Sequence, residues 1–329
     1  MKKIMNEAEN IVDQMLDGLA FTNDAIVERL PGTQVIARTY RSDGKVAVIS
    51  GGGSGHEPTH AGFVGKGMLA AAVAGPVFTS PAPDQILEAI KHANQGAGVL
   101  LVIKNYTGDV MNFEMAEELA AGEDIPVDHI VVNDDVAVED STYTAGRRGV
   151  AGTILVHKII GAAAEAGLPL KELKSLAEEL IPSIKTIAVA LSAATVPEVG
   201  KPGFELAEDE IEYGVGIHGE PGYRREKIKS SKEMASELIE QLKKNFNWQS
   251  GDRYGVLVNG MGATPLMEQY VFINDVRQLL AEEKLDIVFK KAGNYMTSLD
   301  MAGISLTMIR LKEEQWLKWL QEPVTTIAW

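Results

Sequence analysis

The sequence predicts an α/β fold: an N-terminal, mostly parallel sheet with helices on both faces, plus a second, α+β domain. Three observations predict it. Apolar runs of strand length alternate with helical stretches between residues 45 and 132, the rhythm of parallel strands joined by helical crossovers. Residues 98–104 (GVLLVIK) are apolar almost without alternation, as in a strand buried on both faces. Beyond Ile181-Pro182, strand-like segments follow one another more closely, which sets the expected domains at 1–183 and 184–329.

The elements follow in order. Ile11, Met15 and Leu19 stand at helical spacing and predict an N-terminal helix within residues 6–30. Lys45–Ser50 reads as a strand that runs into a glycine loop, and His60–Leu69 as a helix entered from that loop. Ser80-Pro81-Ala82-Pro83 marks the start of a helix over Asp84–Gln95. The strand Gly98–Lys104, the helix Met111–Ala121 and the strand His129–Val132 come next, and residues 150–182 read as helical. In the second half, strands are expected at Lys185–Leu191, Glu212–Ile217, Arg253–Asn259, Asp286–Lys290 and Ser305–Leu311. Helices are expected at Ser231–Asn245 and Leu266–Glu282, and a loop at Pro197–Asp209. Right-handed crossovers put the carboxyl ends of the first-domain strands on one edge, where open α/β sheets bind their ligands.

Composition narrows the function. The chain has 329 residues, is 45% apolar and carries a net charge of −15. Such charge disfavours nucleic acid and anionic membranes as partners; the basic pairs Arg147-Arg148 and Arg224-Arg225 are too short to reverse this. There are no cysteines, which excludes disulfides and thiolate metal sites and favours a cytoplasmic setting. The longest apolar run, Met68 to Ala74, ends at Gly75-Pro76, far short of the roughly 20 residues that span a bilayer. The first residues lack the apolar core of a signal peptide.

Residues 50–60 (SGGGSGHEPTH) resemble a nucleotide loop and fail its test. A dinucleotide fingerprint needs G-x-G-x-x-G and a phosphate loop needs G-x-x-x-x-G-K-[ST]; His56 or Pro58 stands where the third glycine belongs, and Gly67 follows Gly65-Lys66. What remains is a glycine loop at a strand end that carries His56 and Glu57, suited to a small polar ligand. A second strand-end loop, Asn105–Asp109, follows Lys104. If the two strands are neighbours, His56, Asp109 and Lys104 share one crevice fit for acid/base work. Asp109 reads equally as a helix cap and Lys104 as a surface lysine. In Gly214–Gly222, glycines crowd His218 on both sides, leaving an imidazole open to act as nucleophile or simply to sit in a turn. His60 and His92 read as surface or capping residues, and His129 and His157 as structural. Pro58 breaks the H-E-P-x-H spacing, so no metal site is expected. The glycine turns 259–265 and 293–303 read as packing turns or as a surface for another protein.

Taken together, SGGGSGHEPTHAGFVGKGM, FTSPAPDQI, KNYTGDVMNFEMA and GVGIHGEPG, in this order, resemble the dihydroxyacetone kinase family, and within it the dihydroxyacetone-binding K subunits of bacteria. The resemblance spans about residue 15 to Trp329. It implies that His218 attacks the ketone of dihydroxyacetone to form a hemiaminal. It further implies that Gly53, Ser54, Gly55, His56, Lys104 and Asp109 contact the substrate, with His56 and Asp109 as acid/base residues at the hydroxyl that is phosphorylated. This chain would hold no cofactor of its own: ADP or ATP with Mg would sit on a separate L subunit, recharged in many bacteria by a phosphotransferase-system M subunit. A homodimer is expected. A dihydroxyacetone-sensing transcriptional co-activator of the same family is the alternative.

Overall fold

The computed structural model describes residues 2–141 and 144–329. Its strands form two six-stranded sheets. The first is built from β1 (Val27–Arg29), β2 (Val35–Arg38), β3 (Ala47–Ser54), β4 (Ala71–Val77), β5 (Val99–Lys104) and β6 (Val127–Val132), in the order β1-β2-β4-β3-β5-β6. Strands β4, β3, β5 and β6 are mutually parallel, and β1 and β2 add an antiparallel edge. Helices α1 (Ile11–Thr22), α2 (Pro83–Ala93), α3 (Thr107–Ala121), α4 (Thr153–Glu165) and α5 (Leu170–Leu180) accompany this sheet. The second sheet contains β7 (Ile184–Ala190), β8 (Glu210–Tyr213), β9 (Arg224–Lys227), β10 (Arg253–Gly260), β11 (Asp286–Gly293) and β12 (Gly303–Arg310), ordered β11-β10-β12-β7-β8-β9 and antiparallel except for β10–β11. Its helices are α6 (Ser231–Phe246), α7 (Leu266–Glu282) and α8 (Glu314–Gln321).

Strand period and packing agree. On β5, Val99, Leu101 and Ile103 join a core with residues of α2 and α3. Leu100 and Val102 face the other way, into a core with α4 that also takes Ala188, Ala190 and Leu257 of the second sheet. Strand residues two apart share a face, so Lys104 continues the α4 side. Residues Thr153 to Ala164 of α4 are all buried, which makes this the central helix between the sheets. Alternate residues of β10 and β12 (Val256, Val258, Leu306, Met308) pack outward under residues of α6 and α7.

Several expectations need correction. The N-terminal helix stops at Thr22, and residues 27–38 turn back as β1 and β2 around Gly32, whose φ of +73° suits glycine. No helix forms over His60–Leu69. Only a 3-10 turn at Ala61–Phe63 is present, because Gly62, Gly65 and Gly67 follow and Gly67 is left-handed. The alanine-rich run after Met68 is the strand β4. The glycines of residues 51–53 are strand, not loop. The strand expected at Glu212–Ile217 ends at Tyr213, where Gly214 takes φ +82°. The stretch 150–182 is broken at Gly167 (φ +93°) into α4 and α5.

Candidate active site

Strands β3 and β5 pair in parallel, Ala47 with Val99 through Ser50 with Val102. Their carboxyl ends therefore open on the same edge of the sheet. There a cavity of about 570 Å³ is lined by Gly53, Phe78, Ser80, Tyr106, Asp109 and His218, among others. His218 comes from the turn after β8, so the second sheet closes the cavity.

At one wall stand two imidazoles. His56 is fully buried. Its Nδ1 donates to the Thr297 carbonyl oxygen at 2.8 Å, and its Nε2 lies 3.1 Å from Nε2 of His218. Phe78 stacks on the His56 ring at 5.1 Å, and Tyr106 meets the His218 ring edge-on at 4.6 Å. The His218 Nδ1 faces Oε1 of Glu220 at 3.1 Å, and the His218 backbone N–H donates to the other carboxylate oxygen at 2.9 Å. Burial pushes the Glu220 carboxyl up, but the His218 bond and charge together with Arg148 outweigh it and hold it near 2. Burial, the His218 ring and the Lys104 charge drive His56 well below its ordinary value, so this ring is neutral. Glu220 is charged by the same balance, and carboxylates accept, so His218 carries its proton on Nδ1.

At the other wall Asp109 occupies the first turn of α3. Lys104 Nζ donates to its Oδ2 at 3.0 Å, and the Ser80 hydroxyl donates to its Oδ1. Lys104 is fully buried, so the surface-lysine reading falls. Its ammonium has room because Gly52 has no side chain: a Cβ there would land on Lys104 Nζ. A Cβ on Gly53 would strike the Phe78–Thr79 backbone. These glycines serve close approach rather than anion binding.

Gly53, Asp109 and His218 thus line one cavity, and His56 and Lys104 are buried behind its walls, against His218 and Asp109. His56 pairs with His218 rather than with Asp109. Ser54 and Gly55 lie aside: the Ser54 hydroxyl donates to the Gly75 carbonyl oxygen, and both residues line a neighbouring cavity with residues of the N-terminal segment. The glycine turn 293–303 is a clasp for the first-sheet loop. Thr297 and Leu299 donate backbone N–H groups to His56 and Gly55, and the side-chain oxygen of Asn259 holds the Tyr295 and Met296 N–H groups. His60 is buried rather than at the surface, with Nδ1 3.0 Å from Nε2 of His157. His92 is partly exposed near Glu28, and His129 bonds Glu117.

Two residues were missed. Glu220 lies two positions after His218, and a carboxylate so close to a candidate nucleophile was the available signal. Arg148, read only as half of a short basic pair, is wholly buried against Asp135 and the Gly214 carbonyl. No sequence signal marked it. Among the described residues, no group of three His, Asp or Glu side chains is placed to hold a metal ion, and no helix is long and apolar enough to cross a membrane.

A cavity at the strand ends of an α/β sheet, with an oriented imidazole facing a lysine-paired carboxylate, defines a protein that binds a small electrophile and moves protons on it. Residues 17–328 match the Dak1 domain, and the chain belongs to that family. It is 63% identical over 328 residues, covering 100% of this chain and 99% of its relative, to the PTS-dependent dihydroxyacetone kinase, dihydroxyacetone-binding subunit DhaK, of Lactococcus lactis. It is 46% identical, covering 99% of this chain and 100% of the relative, to the DhaKLM operon coactivator DhaQ of the same organism. The solved dihydroxyacetone kinase from C. freundii, in complex with AMP-PNP and Mg2+, superposes with a TM-score of 0.92 at 35% identity over 100% of this chain and 60% of that one.

Proposed function

We propose that this chain is the dihydroxyacetone-binding subunit of a dihydroxyacetone kinase. It holds the triose as a hemiaminal on His218 and offers the far hydroxyl for phosphorylation. One observation carries the reading: an imidazole oriented by a second, buried ring and a lysine-paired carboxylate line one cavity.

The geometry supports a balanced first step. His56 and His218 both spend their Nδ1 protons, on Thr297 and Glu220. Their Nε2 atoms face each other at 3.1 Å, and two lone pairs repel, so one further proton rests in the contact on His218 Nε2, beside the Glu220 carboxylate, while His56 stays neutral. As the substrate enters, His56 Nε2 takes that proton and frees the His218 lone pair; when His218 Nε2 attacks the ketone carbon, the carbonyl π pair moves to oxygen and His56 Nε2 delivers the proton to it. The product is a hydroxyl, with an imidazolium beside the Glu220 carboxylate; total charge is conserved. His56 therefore serves the adduct, and Asp109 alone takes the proton of the accepting hydroxyl as phosphorus approaches. Lys104 holds Asp109 in place. Gly53 lines the cavity and lets the Phe78–Thr79 backbone close against it, while Ser54 and Gly55 support the loop. Only a carbonyl forms this bond, which selects dihydroxyacetone over glycerol, and the tether aligns a short substrate.

The phosphoryl donor belongs to a partner. The Lactococcus relative is named a subunit and PTS-dependent, which supports an L subunit that holds ADP or ATP with Mg and is charged through a phosphotransferase-system M subunit. This partner docks over the cavity, which the first turn of α3 lines; farther along the same helix Met111, Met115 and Leu119 are exposed at helical spacing. We further assign a cytoplasmic homodimer. The sensing co-activator is the second reading; identity of 46% to DhaQ against 63% to DhaK favours the kinase.

Intact-mass measurement with dihydroxyacetone tests the reading. A reversible gain of one substrate molecule without loss of water is expected, and none in His218→Ala. An adduct that survives this substitution places the nucleophile elsewhere. Adding an L subunit and a phosphotransferase donor should yield dihydroxyacetone phosphate; binding to a transcription regulator in place of the L subunit would favour the sensor.

A further inference from the structure

The proposed chemistry leaves two buried imidazoles unused. His60, in the chain between β3 and β4, and His157, on α4, touch through His60 Nδ1 and His157 Nε2 at 3.0 Å. His60 Nε2 is buried without a hydrogen-bond partner. It lies near the active site's cation: the position that a Gly52 Cβ would occupy lies 3.5 Å from His60 Nε2, 3.4 Å from Asp109 Oδ2 and in contact with Lys104 Nζ. All three groups therefore meet over one bare Cα.

An ammonium has three N–H donors, and Lys104, wholly buried, has one hydrogen bond among the described residues, to Asp109. Were His60 protonated on Nε2, that N–H would point at a positive charge. With the proton on Nδ1, donated to His157, Nε2 presents a lone pair to the ammonium. The groups that face His60 all favour this neutral form: Lys104 on β5, His157 on α4 and His56 on its own loop, in a site closed to water.

We infer that His60 is a positioning residue: its neutral Nε2 seats the Lys104 ammonium over Gly52, and His157 locks the tautomer, so that Lys104 holds the Asp109 carboxylate toward the substrate. The inference rests on the proposed kinase reading.

The test compares His60→Leu with His60→Gln in the full chain with its L subunit. Leu removes the acceptor; the Gln side-chain oxygen restores one. Both variants are expected to form the dihydroxyacetone mass adduct, which reports the His218 chemistry independently. His60→Leu should lose about 10²-fold in kcat, the scale of a small misplacement of a reacting group, with little change in KM. His60→Gln should recover most of that loss. ¹⁵N NMR of the wild-type chain should show His60 protonated on Nδ1 alone. Full kcat in His60→Leu, or an Nε2-protonated His60, would overturn the inference. So would a Gln variant no better than Leu at equal melting temperature. Loss of the adduct in the wild-type chain would instead overturn the kinase reading.

Discussion

The two walls of the cavity solve opposite electrostatic problems. The imidazole wall must keep one ring lone pair free and still absorb the positive charge that forms on His218. It does so with a buried carboxylate, Glu220, that accepts from both the ring and the backbone N–H of His218. The carboxylate wall must keep Asp109 charged in a closed site, and it does so with a buried cation, Lys104. In each case the reacting group is tuned by an oppositely charged partner that is more buried than itself. The supports come from different parts of the chain: Glu220 and Thr297 from the second-sheet half, Lys104 and Ser80 from the first. Binding and phosphoryl acceptance are therefore separable by mutation.

Asp109→Asn gives the largest separation. The amide keeps the shape of the side chain and loses the base, so turnover with the L subunit should fall roughly 10²- to 10⁴-fold, while the mass adduct on His218 forms as in the wild type. If the adduct disappeared with the turnover, the two walls would be one functional unit and the comparison would fail.

Glu220→Gln acts on the other wall and should do less. It replaces a charge-assisted hydrogen bond worth about 1.5–3 kcal/mol. The hemiaminal, whose ring is cationic, should weaken roughly 10- to 10²-fold, as read by titration of the adduct in intact-mass spectra. The rate of phosphorylation from fully formed adduct should change little. Equal loss in both measurements would mean that Glu220 supports the cavity as a whole.

Much of this arrangement was legible before the fold. GVLLVIK read as a doubly buried strand, and it is one; the neighbouring strand end was placed, and Asp109 with Lys104 behind it lies there, while His56 turns to His218 at the other wall. Asp109 shows how a helix boundary decides between alternatives: α3 begins at Thr107 rather than Met111, so Asp109 lies inside its first turn instead of at the cap, which is Tyr106, and it lines the cavity. Other features left no local trace. Gly51, Gly52 and Gly53 carry no apolar side chains, so nothing marked them as strand. Only their pairing with β4 makes them so, and only strand parity sends Gly52 to the side of Lys104. His60 and His157 are 97 residues apart, and their contact depends on how α4 crosses the sheet. Burial of Arg148 goes with its bond to Asp135, a tertiary pairing that a basic doublet in the sequence does not reveal.

The smallest expected effect concerns stability and separates the rings that work from the ring that supports. Burial, then the Lys104 charge, lowers His157 from 6.5 to about 3. Between those values the unfolded chain binds a proton at this ring that the folded chain does not. Stability from this group is thus fully present above pH 6.5 and declines as pH falls, by about 1.4 kcal/mol per pH unit until the folded value is reached. His56 and His60 shift in the same direction, so the acid slope of unfolding should be steep. Denaturant unfolding followed from pH 6 to 4 should show a slope shallower by one proton in His157→Gln than in the wild type, whatever the offset in absolute stability. Parallel slopes would mean that His157 takes up its proton in the folded protein, which would place a second cation near Lys104 and remove the reason for His60 to keep its lone pair toward the active site.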